Sequence, residues 1–333
     1  MTTYKICVLP GEGIGPEVVA GGVAVLQALP LDFQFEYGDI GYETYQRSGD
    51  PLPPETIDKV RAADATLFGA VTTPPDIPNY RSPIIRLRKT FDLYANLRPC
   101  KSLPHAGSRQ DVNLMVVREN TEDLYSGIER VEDNGARAVT ERVITRAGSE
   151  RVLRFAFDLA GKLGFNKVCV VHKANVLRAT CGLFRSVAFE VAKEYPNLQM
   201  EEMLVDTCAM ELIRQPSQFQ VIVTTNMFGD ILSDEASMLV GGLGIASSGN
   251  IGVNAAVFEP VHGSAPKLAG LKKANPIATI LAVKMMLEYL GEIEAARRVE
   301  NAVLHAIRSG QVTEDLGGNL NTSQAVESII RYL

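Results

Sequence analysis

Two aspartates one helical turn apart are the residues whose spacing most directly suggests chemistry. Asp230 and Asp234 lie in the segment 225–234, Thr-Asn-Met-Phe-Gly-Asp-Ile-Leu-Ser-Asp. If a helix begins at Asp230, both carboxylates share one of its faces. They then repel each other unless a cation lies between them, and Mg²⁺ or Mn²⁺ suits such a site of oxygen ligands. The alternative for this segment alone is that Asp230 caps the helix and Asp234 is solvated.

A lysine and a tyrosine could move protons. Lys173 comes just past the apolar run 168–171, and burial or neighbouring cations there would lower its pKa towards that of a general base. Tyr125, in the polar segment 119–125, could be the partner acid. Each residue taken singly is more often structural than catalytic, so their pairing is a hypothesis.

Arginines are dense between positions 86 and 118. Arg86, Arg88, Arg98 and Arg118 are expected in or beside β-type runs. Arg118 follows the apolar run 114–117, and an arginine at a strand end is well placed to hold a carboxylate with two parallel hydrogen bonds. Surface salt bridges are the alternative for any one of them. Together they favour a small polyanionic substrate.

The elements that must position these residues follow an α/β pattern, because short apolar runs alternate with helix-like segments. The predicted strands are 4–9, 65–71, 114–117, 168–171 and 221–224. The predicted helices are 17–29, 54–63, 150–163, 230–239, 276–290 and 292–309. The polar turn 132–135 predicts a hairpin. The first strand ends in a glycine turn at 11–15 that lacks the spacing of the standard dinucleotide motif, so it is equally well a strand-to-helix turn.

Composition and charge exclude several classes of function. The net charge is −6 without a basic run, which disfavours a nucleic-acid partner. Apolar stretches are too short to span a bilayer, and because a strand-like run begins at residue 4 we expect no signal peptide. The five cysteines are scattered and odd in number, so we expect reduced thiols packed in the core of a cytoplasmic enzyme.

At these residues the chain resembles the β-decarboxylating dehydrogenases, which include isocitrate, homoisocitrate, 3-isopropylmalate and D-malate dehydrogenases. The likeness covers essentially the whole chain and is most specific at 117–125, 171–175, 226–234 and 259–266. It implies a two-lobed α/β fold of isopropylmalate/isocitrate dehydrogenase type with a non-Rossmann cofactor site. Residues 1–97 and 240–333 would form the cofactor-side lobe. Residues 98–239 would form a central lobe with the dimer interface and the metal-binding residues.

The resemblance also implies a role for each candidate. Lys173, reaching in from the partner subunit, would take the proton of the substrate hydroxyl, and Tyr125 would protonate the enolate left when CO₂ departs. Hydride would pass to the nicotinamide, and Mg²⁺ or Mn²⁺ would polarise the substrate oxygens. The metal ligands would be Asp230 and Asp234 with Asp206 supplied by the partner subunit, which implies a homodimer with composite sites, or a tetramer. Substrate contacts are implied for Arg81, Ser82, Ile84, Ile85, Arg88, Arg98, Arg118 and Asn175. Cofactor contacts are implied for Val71, Thr72, Glu259, His262, Gly263, Ser264, Ala265, Lys267 and, at the adenine, Asn275.

The choice of cofactor depends on Lys267. NAD-dependent members resemble one another in placing an aspartate there, for the ribose hydroxyls. NADP-dependent members have lysine followed by tyrosine, where this chain has Leu268. A cation at this position could favour the 2′-phosphate or be merely tolerated. We expect NAD ahead of NADP.

The choice of substrate depends on the segment 80–88. Bacterial NADP-type isocitrate enzymes carry asparagine where Ile84 stands. Isopropylmalate enzymes carry two leucines at Ile84 and Ile85 and an acidic residue at Arg81. Arg81 and Ser82 could serve a distal carboxylate beside an apolar wall, a mixture most similar to fungal-type homoisocitrate dehydrogenases. Bacterial homoisocitrate enzymes often carry an arginine at the position where this chain has Ile85.

We therefore expect oxidation of homoisocitrate to 2-oxoadipate, within lysine biosynthesis, with isocitrate also turned over. 3-Isopropylmalate or isocitrate dehydrogenase activity is the alternative. A non-catalytic regulatory subunit is disfavoured, because Tyr125, Lys173 and the three aspartates are all present.

Overall fold

The computed structural model describes residues 2–74, 76–77 and 80–333 as a mixed α/β chain. The strands are β1 Thr3–Gly11, β2 Asp32–Tyr37, β3 Ala65–Ala70, β4 Ala95–Lys101, β5 Asn113–Glu119, β6 Glu129–Glu132, β7 Arg137–Thr140, β8 Lys167–His172, β9 Gln199–Leu204, β10 Val221–Thr224, β11 Ser247–Ile251 and β12 Ala256–Pro260. The helices are α1 Gly15–Ala28, α2 Tyr42–Ser48, α3 Pro54–Ala62, α4 Pro83–Thr90, α5 Arg146–Lys162, α6 Thr180–Ala192, α7 Val205–Arg214, α8 Asn226–Met238, α9 Ile277–Tyr289, α10 Ile293–Arg308 and α11 Thr322–Ile330. Within these described ranges, no helix has both the length and the apolar character needed to cross a membrane.

The α/β pattern is confirmed, and each predicted element has its counterpart within a few residues of the predicted bounds. Two placements were wrong. Helix α8 begins at Asn226, four residues before Asp230, so Asp230 is not its cap. Arg86 and Arg88 lie on helix α4 rather than in or beside a strand. The eight-residue helix was missed because its apolar period is short and its first residue is a proline, which favours position N1 as readily as a turn.

The first compact unit contains residues 1–91, 102–110 and 237–333. Its strands run in the order β2-β1-β3-β12-β11, parallel except for the last pair. Helix α9 is buried along most of its length, which suits its nearly unbroken apolar sequence.

The second compact unit contains residues 92–101 and 111–236. Its strands run β4-β5-β10-β8-β9, antiparallel only between β4 and β5. The predicted hairpin is confirmed as β6 and β7. Which unit carries the cofactor and which the dimer interface stays a prediction.

The strand register of the second unit explains why its candidate residues cluster. Thr224, the last residue of β10, pairs with Arg118 near the end of β5 and with Val171 near the end of β8. The segments that follow these three strands therefore leave the same edge of a parallel sheet, which is where α/β proteins place their sites. A core of packed apolar side chains from β5, β8, β10, α5 and α6 lies behind this edge.

Candidate active site

The two aspartates of α8 are held together by an arginine from a neighbouring strand. Arg98 of β4 donates from Nη2 to Asp230 Oδ1 at 3.1 Å and from Nη1 to Asp234 Oδ1 at 2.9 Å. Its other donors reach Ser233 Oγ at 2.8 Å and Asn96 Oδ1 at 2.9 Å. The spacing of the two carboxylates predicted a neighbouring cation, and the guanidinium of Arg98 lies beside both of them.

A second arginine, Arg118, contacts the carboxylate of Asp230. Arg118 has a side chain that is only 1% exposed and forms an ion pair with Asp230. Its Nε donates to Asn226 Oδ1 at 2.9 Å, so it also holds the first residue of α8. Gly229 permits this approach, because a Cβ there would lie 2.7 Å from Cβ of Arg118. Helix α8 is thus seated directly on the Arg118 side chain.

Tyr125 joins the cluster through its phenol. Its hydroxyl donates to Asp230 Oδ2 at 2.6 Å, and the ring lies under the guanidinium of Arg118, 5.0 Å from centroid to Cζ. Burial and the hydrogen bond to Asp230 raise the pKa of Tyr125, so the phenol keeps its proton. Burial also raises the pKa of Asp234, although Arg98 opposes that shift. The cluster therefore contains a protonated phenol, that of Tyr125, beside the carboxyl groups of Asp230 and Asp234.

Lys173 and Asp206 form a separate pair in the same unit. Lys173 follows β8 as predicted, and its Nζ donates to Asp206 Oδ1 at 2.7 Å. The lysine is the main reason that the pKa of Asp206 is lowered. Within the described ranges, no three His, Cys, Asp or Glu side chains form a group able to hold a metal. In one chain, therefore, Asp206 is not the third member of the Asp230 and Asp234 pair.

The turn that carries Lys173 is fixed by the residue before it. His172 is buried, accepts the Ala174 N–H at Nδ1 and lies 3.2 Å from Glu202 Oε2 through Nε2. Asn175 is exposed on the same turn.

In the first unit, Arg88 is buried and directed by an acidic partner. Its Nη2 donates to Glu259 Oε1 at 3.1 Å, and Asn250 Nδ2 donates to the same oxygen at 2.7 Å. The Arg88 Nε has no hydrogen-bond partner among the described residues. A buried donor left in this way is an expected feature of a site that receives an anionic ligand.

The start of α4 mixes polar and apolar residues, as the sequence indicated. Arg81 is exposed, whereas Ser82, Ile84 and Ile85 are half-buried. Ile84 lies one turn before Arg88, so the two share a helix face. The Ser82 side chain makes no capping hydrogen bond to the helix.

The glycine turn after β1 packs against the loop that follows β12. Ile14 N donates to Ser264 O at 2.8 Å, and a Cβ at Gly13 would approach that oxygen to 2.0 Å. Thr72 Oγ1 lies 2.7 Å from Ser264 Oγ. Buried Glu12, which the sequence reasoning missed, accepts the Thr72 N–H at 2.8 Å. Two of the expected cofactor segments, residues 71–72 and the loop after β12, thus meet the glycine turn in this unit.

The remaining cofactor candidates differ in their surroundings. Val71 and Ala265 are half-buried, Gly263 and Lys267 are exposed, and Ala265 has a positive φ of 38°. Burial lowers the pKa of His262, which favours the neutral ring. Asn275 donates to Asp315 at 2.8 Å and accepts the Ile277 N–H, so its amide is also held by the protein.

The residues fit the groups that the resemblance implies. Asp230 and Asp234 offer only hard oxygen ligands, which suit Mg²⁺ or Mn²⁺ better than a soft metal. Asn226, Ser233 and Asn96, also missed by the sequence reasoning, orient the arginines. Their positions could have identified them. Asn226 and Ser233 flank Asp230 on α8, and Asn96 lies two residues from Arg98 on the same face of β4.

Comparisons with known proteins agree over nearly the whole chain. The family model for isocitrate/isopropylmalate dehydrogenase matches residues 5–329. A homoisocitrate dehydrogenase of Methanocaldococcus jannaschii is 48% identical over 342 aligned positions, covering 99% of this chain and 97% of the relative. A 3-isopropylmalate dehydrogenase of Methanothermobacter thermautotrophicus is 49% identical, covering 100% and 99%. The crystal structure of isocitrate dehydrogenase from Methylococcus capsulatus superposes with a TM-score of 0.96 at 45% identity, covering 99% of both chains. The chain therefore belongs to the isocitrate/isopropylmalate dehydrogenase family of NAD(P)-dependent β-decarboxylating dehydrogenases.

Proposed function

We propose that the enzyme oxidises homoisocitrate and releases CO₂ to give 2-oxoadipate, with isocitrate as a second substrate. The observation that carries this proposal is the mixed start of α4. Exposed Arg81 and the hydroxyl of Ser82, which makes no capping hydrogen bond to α4, suit a distal carboxylate. Ile84 and Ile85 suit the methylene arm that separates this carboxylate from the reacting carbons. Each buried CH₂ contributes about 0.8 kcal/mol, whereas an unpaired buried carboxylate would be strongly unfavourable.

The chain's own side chains supply binding and proton transfer. Arg88, Arg98 and Arg118 would hold the carboxylates around the reacting carbons. Lys173 would take the hydroxyl proton, and Tyr125, which keeps its proton, would return one to the enolate carbon. Asp230 and Asp234 would hold Mg²⁺ or Mn²⁺. The bound metal supplies polarisation of the substrate oxygens, and the nicotinamide supplies the hydride acceptor.

A homodimer would complete this site. Asp206 and Lys173 are paired with each other rather than with the Asp230 cluster, so they suit the site of a second copy. Exposed apolar side chains lie on the same unit, on α7, on α8 and after Lys173: Met210, Ile213, Ile231 and Val176. Such a concentration is typical of a subunit interface. A cytoplasmic dimer in lysine biosynthesis is our working assignment.

NAD is proposed ahead of NADP. Lys267 is exposed on a short turn after the loop 259–266, and Leu268 beside it offers no hydroxyl to a phosphate. Lys267→Asp should raise the preference for NAD if the lysine is merely tolerated. A large loss of NAD activity in that variant would instead make the lysine part of the cofactor site.

The deciding experiment is a set of kcat/KM values for homoisocitrate, isocitrate, 3-isopropylmalate and D-malate, with Mn²⁺ and each cofactor. We expect homoisocitrate to be used best and isocitrate next. Arg81→Ala should then reduce kcat/KM for homoisocitrate while sparing 3-isopropylmalate. Faster turnover of 3-isopropylmalate than of either tricarboxylate would mean that the isoleucine wall dominates, and the proposal would fail.

A further inference from the structure

Asp123 adopts a backbone conformation that side chains rarely tolerate. Its φ is 70° and its ψ is −143°, and the residue is completely buried. A residue other than glycine is strained in this conformation and keeps it only where the surrounding structure holds it there. Glycine would adopt the same backbone freely. An aspartate at this position therefore indicates that its carboxylate makes interactions that offset the backbone strain.

The carboxylate joins three separate segments of the second unit. Its Oδ1 accepts the Leu124 N–H at 2.9 Å and its Oδ2 accepts the Met227 N–H at 3.2 Å. The Met227 N–H belongs to the first turn of α8, where N–H groups lack partners within the helix and favour an acidic neighbour. Arg142 donates to both oxygens, from Nε at 2.6 Å and from Nη2 at 3.2 Å.

Arg142 holds the start of α8 from the other side. Its Nη2 donates to Thr225 Oγ1 at 2.7 Å, and its Cζ lies 4.6 Å from the centroid of the Phe228 ring. Its Nη1 reaches Cys181 Sγ at 3.2 Å, and the side chain is 11% exposed. A planar fork with five donors can satisfy all these directions, whereas a lysine ammonium cannot.

We propose that the Asp123–Arg142 ion pair positions the proposed proton donor against the aspartate cluster. Tyr125 lies two residues after Asp123, and Asp230 lies one turn after the residues that the pair grips. The 2.6 Å contact between the Tyr125 hydroxyl and Asp230 therefore depends on both ends of this pair. Asp123 and Arg142 touch none of the reacting groups, so they are positioning residues. The inference depends on the proposed function for its catalytic readout only.

Arg142→Lys in the full-length enzyme is the primary test. A displacement of about 1 Å at reacting groups can reduce turnover by about 100-fold. We expect kcat to fall by that order, the Mn²⁺ dissociation constant, read from the EPR signal of free Mn²⁺, to rise, and KM for the hydroxy acid to change little. Arg151→Lys is the matched control. Arg151 also pairs with an aspartate, donates to a threonine hydroxyl and covers an aromatic ring, yet none of these partners lies on α8.

A second variant separates positioning from stability. Asp123→Asn alone would strand the Arg142 charge in a buried place and could unfold the chain. The double variant Asp123→Asn with Arg142→Gln removes both charges. We expect it to recover thermal stability but not kcat or Mn²⁺ affinity. If Arg142→Lys and the double variant keep kcat and Mn²⁺ affinity within twofold of wild type, the pair is only structural and the proposal is overturned. If wild-type enzyme turns over no hydroxy acid, the proposed function has failed, and the Mn²⁺ affinities alone decide this inference.

Discussion

Arg98 contacts both aspartates of the candidate active site. Asp230 and Asp234 need a cation between them, and in the protein alone the Arg98 guanidinium meets that need through two ion pairs. If metal and substrate carboxylates bind here as proposed, the aspartates and the arginine exchange partners. The Arg98 guanidinium therefore offsets the repulsion between the two carboxylates.

Removing the guanidinium should destabilise the metal-free enzyme. Arg98→Ala leaves two carboxylates facing each other and removes hydrogen bonds to charged groups that contribute about 2 kcal/mol. We expect a lower Tm without metal, and Mn²⁺ should raise the Tm of the variant more than that of the wild type, because it supplies the missing cation. Differential scanning calorimetry with EDTA and with Mn²⁺ measures both effects.

Arg154→Ala provides the comparison for that experiment. Arg154 pairs with Glu194 on the surface of the same unit, and such exposed ion pairs contribute little to stability because solvent screens them. Its response to Mn²⁺ should equal that of the wild type. An Arg98→Ala enzyme with an unchanged Mn²⁺ response would show that the aspartates do not hold the metal.

Helix α8 is the element on which the cluster depends, and its seat on Arg118 is sterically tight. Gly229 lies in the interior of this helix, where alanine is normally favoured over glycine by roughly 0.5–1 kcal/mol. Here a Cβ would meet Arg118 Cβ and Cγ at 2.7 Å, atoms close to the backbone that cannot swing away.

Gly229→Ala should therefore lower stability and kcat despite its better helix propensity. Gly161→Ala in α5 is the matched control, because a Cβ there meets nothing within 4 Å. We expect Gly161→Ala to raise the free energy of urea unfolding and Gly229→Ala to reduce it by about 1–3 kcal/mol, as overpacking does. Stabilisation by both substitutions would mean that α8 moves easily and that its register is not fixed by Arg118.

At the scale of the whole molecule, we expect activity to depend on association of two chains. Met210 on α7 is 64% exposed. A charge there would oppose burial in an interface. Met210→Glu should give monomers in sedimentation velocity and lose most turnover, because each proposed site needs Lys173 and Asp206 from a second copy. Val253→Glu, at an apolar residue of the first unit that is 76% exposed, should leave association and activity unchanged. A fully active Met210→Glu monomer would exclude composite sites.

Buried thiols should make the molecule sensitive to alkaline pH. All five cysteines are free and buried, as expected from their scatter. Burial raises the pKa of Cys7, Cys100 and Cys169 from 9.0 to about 12. Below the unfolded-state value the thiols are protonated in both states, and their contribution to stability is complete. As pH rises towards 12, only the unfolded chain loses these protons, so the free energy of unfolding falls.

Each such thiol contributes a slope of about 1.4 kcal/mol per pH unit over that interval. Urea unfolding between about pH 8 and pH 11 should show the decline. Cys169→Ala should show a shallower decline than the wild type. Equal slopes in the two proteins would mean that Cys169 titrates normally in the folded state.

The sequence by itself determined the α/β pattern and most of the candidate residues, because both depend on local features. Unbroken apolar runs predicted strands, and in the case of Val221–Thr224 the predicted bounds match the structure to the residue. Motif order and spacing identified the family, and chemistry selected Tyr125, Lys173 and the aspartates. Periodicity could not place the start of α8, because Asn226 and Gly229 carry no apolar pattern and their role is to fit Arg118.

Only the tertiary structure decided which charges meet. Arg98 and Asp234 lie more than a hundred positions apart, and their contact follows from the order of β4, β5 and β10 in the sheet. The same holds for Asp123, whose strained backbone and paired carboxylate have no local signature. Long-range pairing of charges is set by how strands associate, and no single segment of sequence encodes that.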